Sequence, residues 1–234
     1  MRNIVILSMR NFMKTVILNI LILFLGIGVF ATSQRPDKLL YKGIEYNLFS
    51  NPLEIYFEKY PNKRPKKVFG GLVIESTSLW RGYVATFEIK DHKLIVKDIQ
   101  ILCIDTTHRN SLDECWVSVI TEIFPEQKEI QVDWYTGLLV VPIGDIMNYI
   151  HMGYGSTYEN YILLEIEKGN FKKEKYFNYL EYEDFKGRQF DAFKQTKEYK
   201  IIKKDLKKSG DSKKDIDLFL RSYVIDYTSK IIIE

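Results

Sequence analysis

Two short stretches of this 234-residue chain hold most of the groups able to do chemistry. Residues 149–159 read Tyr-Ile-His-Met-Gly-Tyr-Gly-Ser-Thr-Tyr-Glu, so His151, Tyr154, Ser156, Tyr158 and Glu159 supply donors, acceptors and aromatic surface in close succession. Gly153 and Gly155 permit backbone shapes closed to other residues and allow a partner to come near. The second stretch is Trp80-Arg81-Gly82, which could set a cation on an aromatic face, an arrangement suited to a carbonyl, an anion or a glycan. Both also read as framework. The first is then a tight turn into a strand with its tyrosines packed inside, and the second an aromatic lead-in to a strand with Arg81 paired to a structural carboxylate.

Catalytic chemistry finds little further support in the residue pattern. Ser156 does not sit in a G-x-S-x-G elbow, and His151 five residues before it is not a triad by itself. Asp98, Asp105 and Glu159 could serve a glycosidase, but spacing along the chain sets no separation between carboxylates. A metal would have to recruit His108, His151 and Asp105; with three histidines and no diagnostic spacing, neither metal nor cofactor is expected. Cys103 and Cys115, the two cysteines, bracket a polar segment. They read as a disulfide closing that loop, worth about 3 kcal/mol in chain entropy, or as two buried thiols.

The strand-like residues 78–89 carry W-R-G-Y-V-A-T-F-E-I, and residues 151–159 carry H-M-G-Y-G-S-T-Y-E. With Asp133-Trp134-Tyr135-Thr136-Gly137 between them, these motifs resemble a group of uncharacterised bacterial proteins that pair a W-R-G-Y-x-A-T-x-E-I strand with a later H-M-G-Y-G-S-x-Y-E stretch. The resemblance spans roughly residues 75–170 and implies a shared fold. It implies no activity.

The N-terminal residues set the expected compartment. Residues 1–33 contain Arg2, Arg10 and Lys14, no acidic residue, and an apolar run over 16–31 broken only by Asn19. A basic start, an apolar middle and small residues before a polar boundary are the parts of an export signal, with Ala31 and Ser33 placed for a cut before Gln34. The run falls just under the length that spans a bilayer. Because Ile4-Val5-Ile6-Leu7 adds apolar length upstream, an uncleaved anchor is the alternative, with residues 34–234 still outside the cytoplasm, periplasmic or secreted. The whole chain has 34 basic and 31 acidic residues, and residues 34–234 have 31 of each. A neutral exported part gives no electrostatic reason to bind nucleic acid.

The elements that must position the two motifs follow from periodicity. Residues 39–48 read as a hairpin around Lys42-Gly43, and Asn51-Pro52 as a helix start closed by Pro61. Alternation over 83–89 predicts a strand returning through Asp91-His92 to residues 93–104. Residues 111–124 read as a helix, with Ser111 and Glu114 as a capping box, against the strand propensity of Trp116-Val117-Ser118-Val119-Ile120-Thr121. Residues 129–141 and 161–176 read as two further hairpins. From Tyr179 the pattern is helical, with a lysine-rich stretch capped by Thr196 and a last helix capped by Ser212. That last helix places Ile216, Phe219, Leu220, Tyr223 and Val224 on one face.

The expected class is α+β: an antiparallel β-sheet or small barrel built of hairpins, followed by C-terminal helices. The expected organisation is a leader over 1–33, a β-rich domain over 34–178 and a helical segment over 179–234. The expected role is a non-enzymatic binding or accessory protein of the envelope, immunity-like in one version, meeting an envelope protein or small ligand. Membrane contact is expected only through an uncut leader. The alternatives are an envelope hydrolase using His151 with Glu159 or Asp105, and a membrane-anchored structural protein.

Overall fold

The computed structural model describes residues 32–66, 68–69, 72–73, 76–105, 113–125, 128–151, 153–208 and 212–228. Residues 1–31 of the expected leader, His108 and most of the segment between the cysteines lie outside the described residues. The strands are β1 (Asp37–Tyr41), β2 (Ile44–Leu48), β3 (Val68–Phe69), β4 (Leu72–Val73), β5 (Val84–Lys90), β6 (Lys93–Asp105), β7 (Asp113–Ser118), β8 (Ile130–Gln131), β9 (Gly137–Asn148), β10 (Thr157–Glu167) and β11 (Asn170–Asn178). Helices α1 (Pro52–Lys59) and α2 (Ile120–Ile123) lie among them, and α3 (Tyr179–Phe193), α4 (Lys197–Lys208) and α5 (Lys213–Ser222) follow.

The main sheet has the order β2-β1-β5-β6-β11-β10-β9, with β7 and β8 also paired to β6. Its pairs are antiparallel except β1 and β5, which run parallel over 38–40 and 86–88. The α+β expectation holds, with helices after the sheet. The barrel alternative does not, because the sheet stays open. After β2 the chain touches β9 only briefly: Phe49 N–H donates to Val140 O at 2.8 Å, and Ser50 Oγ donates to Leu138 O and accepts from Val140 N–H. Pro52 then removes a ladder donor and starts α1, so the two edges never zip together.

Two other expectations are corrected. Within 111–124, residues 113–118 form β7 rather than helix, because Trp116 and Val117 suit a pleated surface and Cys115 pairs across to Cys103. Helix survives only as the four residues of α2. Residues 129–141 form no hairpin either. β8 pairs with β6, while β9 pairs with β10 through Leu138, Leu139, Val140 and Val141. That apolar run is buried on both faces, and β10 offers an equal run to match it, a larger gain than a local turn can supply. Cys103 and Cys115 are disulfide-bonded with Cα atoms 4.8 Å apart.

Strand alternation divides the interior between two cores. Ile162, Leu164 and Ile166 of β10 and Leu139 and Val141 of β9 face one core, which also holds Leu39, Phe57, Tyr83 and Phe87. Tyr161, Leu163, Leu138 and Val140 face the other, closed by Phe185, Phe190 and Phe193 of α3 and Ile216 and Leu220 of α5. The reversal between β10 and β11 needs Gly169: at φ +73° a Cβ there would lie 2.7 Å from Val132 O.

The caps expected at Thr196 and Ser212 form, and Asn178 supplies one that was not expected. Asn178 and Glu181 form a capping box on α3, and Ser212 Oγ accepts from Asp215 N–H on α5. Before α4, Thr196 Oγ1 accepts from Tyr199 N–H at 3.1 Å. Asn51 precedes α1 as expected, yet its side chain does not cap the helix. On α5 the apolar face is narrower than expected. Ile216, Leu220 and Val224, spaced four apart, are buried, whereas Phe219 and Tyr223 are turned toward solvent. Among the described residues no helix is long and apolar enough to cross a membrane.

Phe185 is fully buried and Phe219 is not, so the two should respond differently to truncation. Phe185→Ala is expected to destabilise the fold by about 3–5 kcal/mol, and Phe219→Ala by about 0.5 kcal/mol or less, in denaturant titrations.

Candidate functional site

The two motifs meet, and they meet inside the protein. Arg81 sits in the turn before β5 with only 1% of its surface exposed. Its guanidinium donates from Nη2 to Asp37 Oδ1 at 3.1 Å and to Arg35 O at 3.0 Å, and from Nη1 to Tyr154 Oη at 2.7 Å. Tyr154 in turn donates to Asn51 Oδ1 at 3.0 Å, which is why Asn51 does not cap α1. The Arg81 guanidinium lies 5.6 Å from the Tyr83 ring centre and 6.0 Å from that of Tyr154. The cation does rest on aromatic faces, but they belong to Tyr83 and Tyr154, not to Trp80.

A second layer locks this clasp in place. Ala85 N–H donates to Asp37 Oδ1 at 2.9 Å, fixing the carboxylate against β5. Tyr83 donates to Glu54 Oε1 at 2.8 Å, and Arg64 holds both Glu54 oxygens at 3.0 and 2.8 Å. Arg64 Nη1 also reaches Arg81 O at 3.4 Å. Phe49 stacks on Tyr154 with ring centres 4.7 Å apart. Residues from five separated parts of the chain thus converge on one cation.

Burial governs the electrostatics. It lifts the Asp37 carboxyl to about 6, against the opposing pull of Arg81 and the Ala85 N–H. Burial also works against the Arg81 charge, but Asp37 and the tyrosine oxygens outweigh it, so the guanidinium stays firmly protonated. The Tyr154 and Tyr83 hydroxyls are driven well above their ordinary range by burial. Asp37 Oδ2 and Arg81 Nε are buried without a hydrogen-bond partner among the described residues. An unsatisfied buried polar group of this kind costs about 1–3 kcal/mol. The clasp therefore selects one arrangement of these segments more than it adds net stability.

The remaining candidates are placed apart from it. Ser156 Oγ accepts from Ile150 N–H at 3.0 Å and donates to Ile150 O at 3.3 Å, closing the loop on itself. Tyr158 N–H donates to Tyr161 Oη, and its ring meets Phe49 edge-on at 5.5 Å. Glu159 Oε2 accepts from Asp145 N–H at 3.1 Å. His151 is exposed, with Nδ1 2.7 Å from Tyr149 Oη. Trp80 is 53% exposed, anchored only by its backbone N–H to Gln34 Oε1 at 3.3 Å. His151, Glu159, Trp80 and Arg81 do not assemble around a common space. Two clefts of about 240 Å³, one beside Lys90, Phe124 and Lys128 and one beside Tyr176, Glu181 and Arg188, contain none of them.

Of the other acidic candidates, the Asp105 side chain lies outside what the structure describes. Asp98 Oδ1 accepts from Ile99 N–H and Ser118 Oγ. Among the described residues no three His, Cys, Asp or Glu side chains gather as metal ligands, and His108 lies outside them.

Sequence reasoning missed Asp37, Asn51, Glu54 and Arg64. Residues 34–38 read there as the polar start of a mature chain, whereas Asp37 is fully buried. The one available signal was indirect: an arginine between aromatic strand residues needs a carboxylate somewhere. Gly153, expected to admit a partner, is approached by the chain itself. Gln34 N–H donates to Gly153 O at 3.0 Å, and Ser33 bridges to Gly153 in parallel register. Comparison of the chain with family models, curated proteins and solved structures returns no match.

The clasp generates two predictions. Arg81→Met, which strands the Asp37 charge, is expected to destabilise by about 3–5 kcal/mol at neutral pH, and adding Asp37→Leu to recover most of that loss, in a denaturant double-mutant cycle. Because Asp37 keeps its proton up to about 6 in the fold against 3.8 as its ordinary value, its contribution is complete below 3.8. It is lost as pH rises through about 6. Asp37→Asn should remove that slope, on the order of 2–3 kcal/mol, from stability measured across this window.

Proposed function

We propose that this chain is an exported, non-enzymatic binding protein of the envelope, an accessory or immunity-like role being one version. The observation that carries this reading is the division of labour within the two motifs. Arg81, Tyr154, Ser156 and Glu159 are committed to holding the fold together, while Trp80 and Tyr149 stand 53% and 59% exposed. Large aromatic side chains left in solvent beside a rigid frame are the usual anchors of an interface. The hydrolase alternative requires His151 to act with Glu159 or Asp105. His151 instead faces Tyr149, and Glu159 holds the Asp145 amide.

The contact surface then comprises the most exposed aromatic parts of both motifs, Trp80 with Tyr149, rather than the motifs as wholes. A photo-crosslinking residue in place of Tyr149 is expected to trap a discrete adduct in intact cells, and the same residue at exposed Leu180 on α3 to trap none. Trp80→Ala should abolish the adduct while shifting stability by about 0.5 kcal/mol or less. A His151→Ala, Glu159→Gln double variant should leave it intact and still complement a deletion strain. Failure of that variant to complement, with its adduct preserved, would restore the hydrolase reading.

A further inference from the structure

Helix α4 concentrates positive charge in a domain that is neutral as a whole. Its twelve residues hold six lysines against Glu198 and Asp205, a surplus of four, whereas residues 34–234 have equal numbers of basic and acidic residues. Packing sorts these side chains by face. Tyr199 is buried, its ring edge-on to Phe190 and Phe193 with centres 6.1 and 5.7 Å apart, and Ile202 and Leu206 pack against the same core. Lys203 lies on this inner side and donates to Asp217 Oδ1 at 2.7 Å, as Tyr199 Oη does at 2.8 Å. With that side fixed, the 3.6-residue turn directs Lys197, Lys200, Lys204, Lys207 and Lys208 the other way, and all five are exposed.

Two properties of this outer face are unfavourable in water. Lys208 pairs with Asp205, but among the described residues Lys197, Lys200, Lys204 and Lys207 form no salt bridge. They stand three and four residues apart, along about 15 Å of helix, at the spacings where like charges destabilise it. Ile201 lies in the middle of this stripe with 62% of its surface exposed. An anionic surface relieves the first defect. A bilayer of anionic lipid relieves both, because its phosphates cover an apolar layer, whereas a nucleic acid or a soluble polyanion offers the charge alone.

We infer that the outer face of α4 docks on the surface of an anionic lipid bilayer. The lysines meet the headgroup phosphates, and Ile201 turns into the boundary with the acyl chains. Each lysine brought to such a surface contributes roughly a fivefold gain in partitioning, and clusters of four to eight suffice to hold a protein there. The contact is made by the folded domain, on a different element from Trp80 and Tyr149. It depends neither on residues 1–31 nor on the binding reading given above.

The test uses the full chain carrying Ile201→Trp, with the unsubstituted chain as reference so that Trp80, Trp116 and Trp134 cancel. Each is mixed with vesicles of phosphatidylcholine alone or of phosphatidylcholine with phosphatidylglycerol. Expected is emission from position 201 that is shielded from acrylamide only where phosphatidylglycerol is present, with the shielding lost at high salt. Lys197→Gln, Lys200→Gln, Lys204→Gln and Lys207→Gln together should raise the phosphatidylglycerol concentration needed for shielding by about 100-fold or more. The same four positions changed to Arg should keep it, with far-ultraviolet circular dichroism unchanged in both variants. If the glutamine variant does not fold, the salt dependence and the arginine variant decide. Position 201 open to acrylamide on both lipids, equal shielding on both, or a folded glutamine variant that behaves like its parent overturns the inference. Shielding by soluble polyphosphate that phosphatidylglycerol vesicles do not reproduce overturns it as well.

Discussion

The buried pair of Arg81 and Asp37 is the constraint around which the rest of the structure is arranged. Two charges taken out of water must find compensation locally, and here it comes from distant parts of the chain: a carboxylate and a carbonyl on the first strand's approach, and a tyrosine from the loop before β10. Neither motif could have its observed shape without the other. Arg81 would be stranded without Asp37, and Tyr154 would not sit beside Phe49 and Asn51 without the guanidinium to orient it. Residues 33–37 are thereby made part of the folded domain.

That arrangement commits several of the groups suited to catalysis to the frame of the fold. A hydrolase needs an acid, a base and open space within hydrogen-bond reach of one another. Here Asp37 and Glu159 are held by backbone amides, Asp37 also by Arg81, and the one histidine of the motif faces solvent beside a tyrosine. What the clasp leaves exposed is the aromatic surface of Trp80 and Tyr149.

Much of the fold could be read from local pattern because local pattern has a local cause. Alternation over 83–89 and the positive-φ turn at Asp91 and His92 gave the β5–β6 hairpin. Thr196 and Ser212 marked helix starts through hydrogen bonds that span three residues. The failures have the opposite origin. Residues 113–118 are strand because β6 lies beside them, and β9 leaves its expected hairpin because pairing with β10 sets its apolar run between the two cores. Likewise, Phe219 and Tyr223 look like core residues by composition, yet the stripe that α3 covers is only wide enough for Ile216, Leu220 and Val224.

For the candidate site the division is sharper. By itself the sequence determined which residues carry chemical capacity, that residues 1–33 combine basic and apolar residues with no acidic one, and that residues 34–234 carry no net charge. Those properties are set by residue type and need no fold. Only the tertiary structure decided that Arg81 and Tyr154 touch, that Asp37 is the buried carboxylate between them, and that Trp80 and Tyr149 are left to solvent. The reason is physical. Desolvation and hydrogen-bond satisfaction depend on neighbours that are 44 and 73 residues away along the chain, and no spacing within a motif records them.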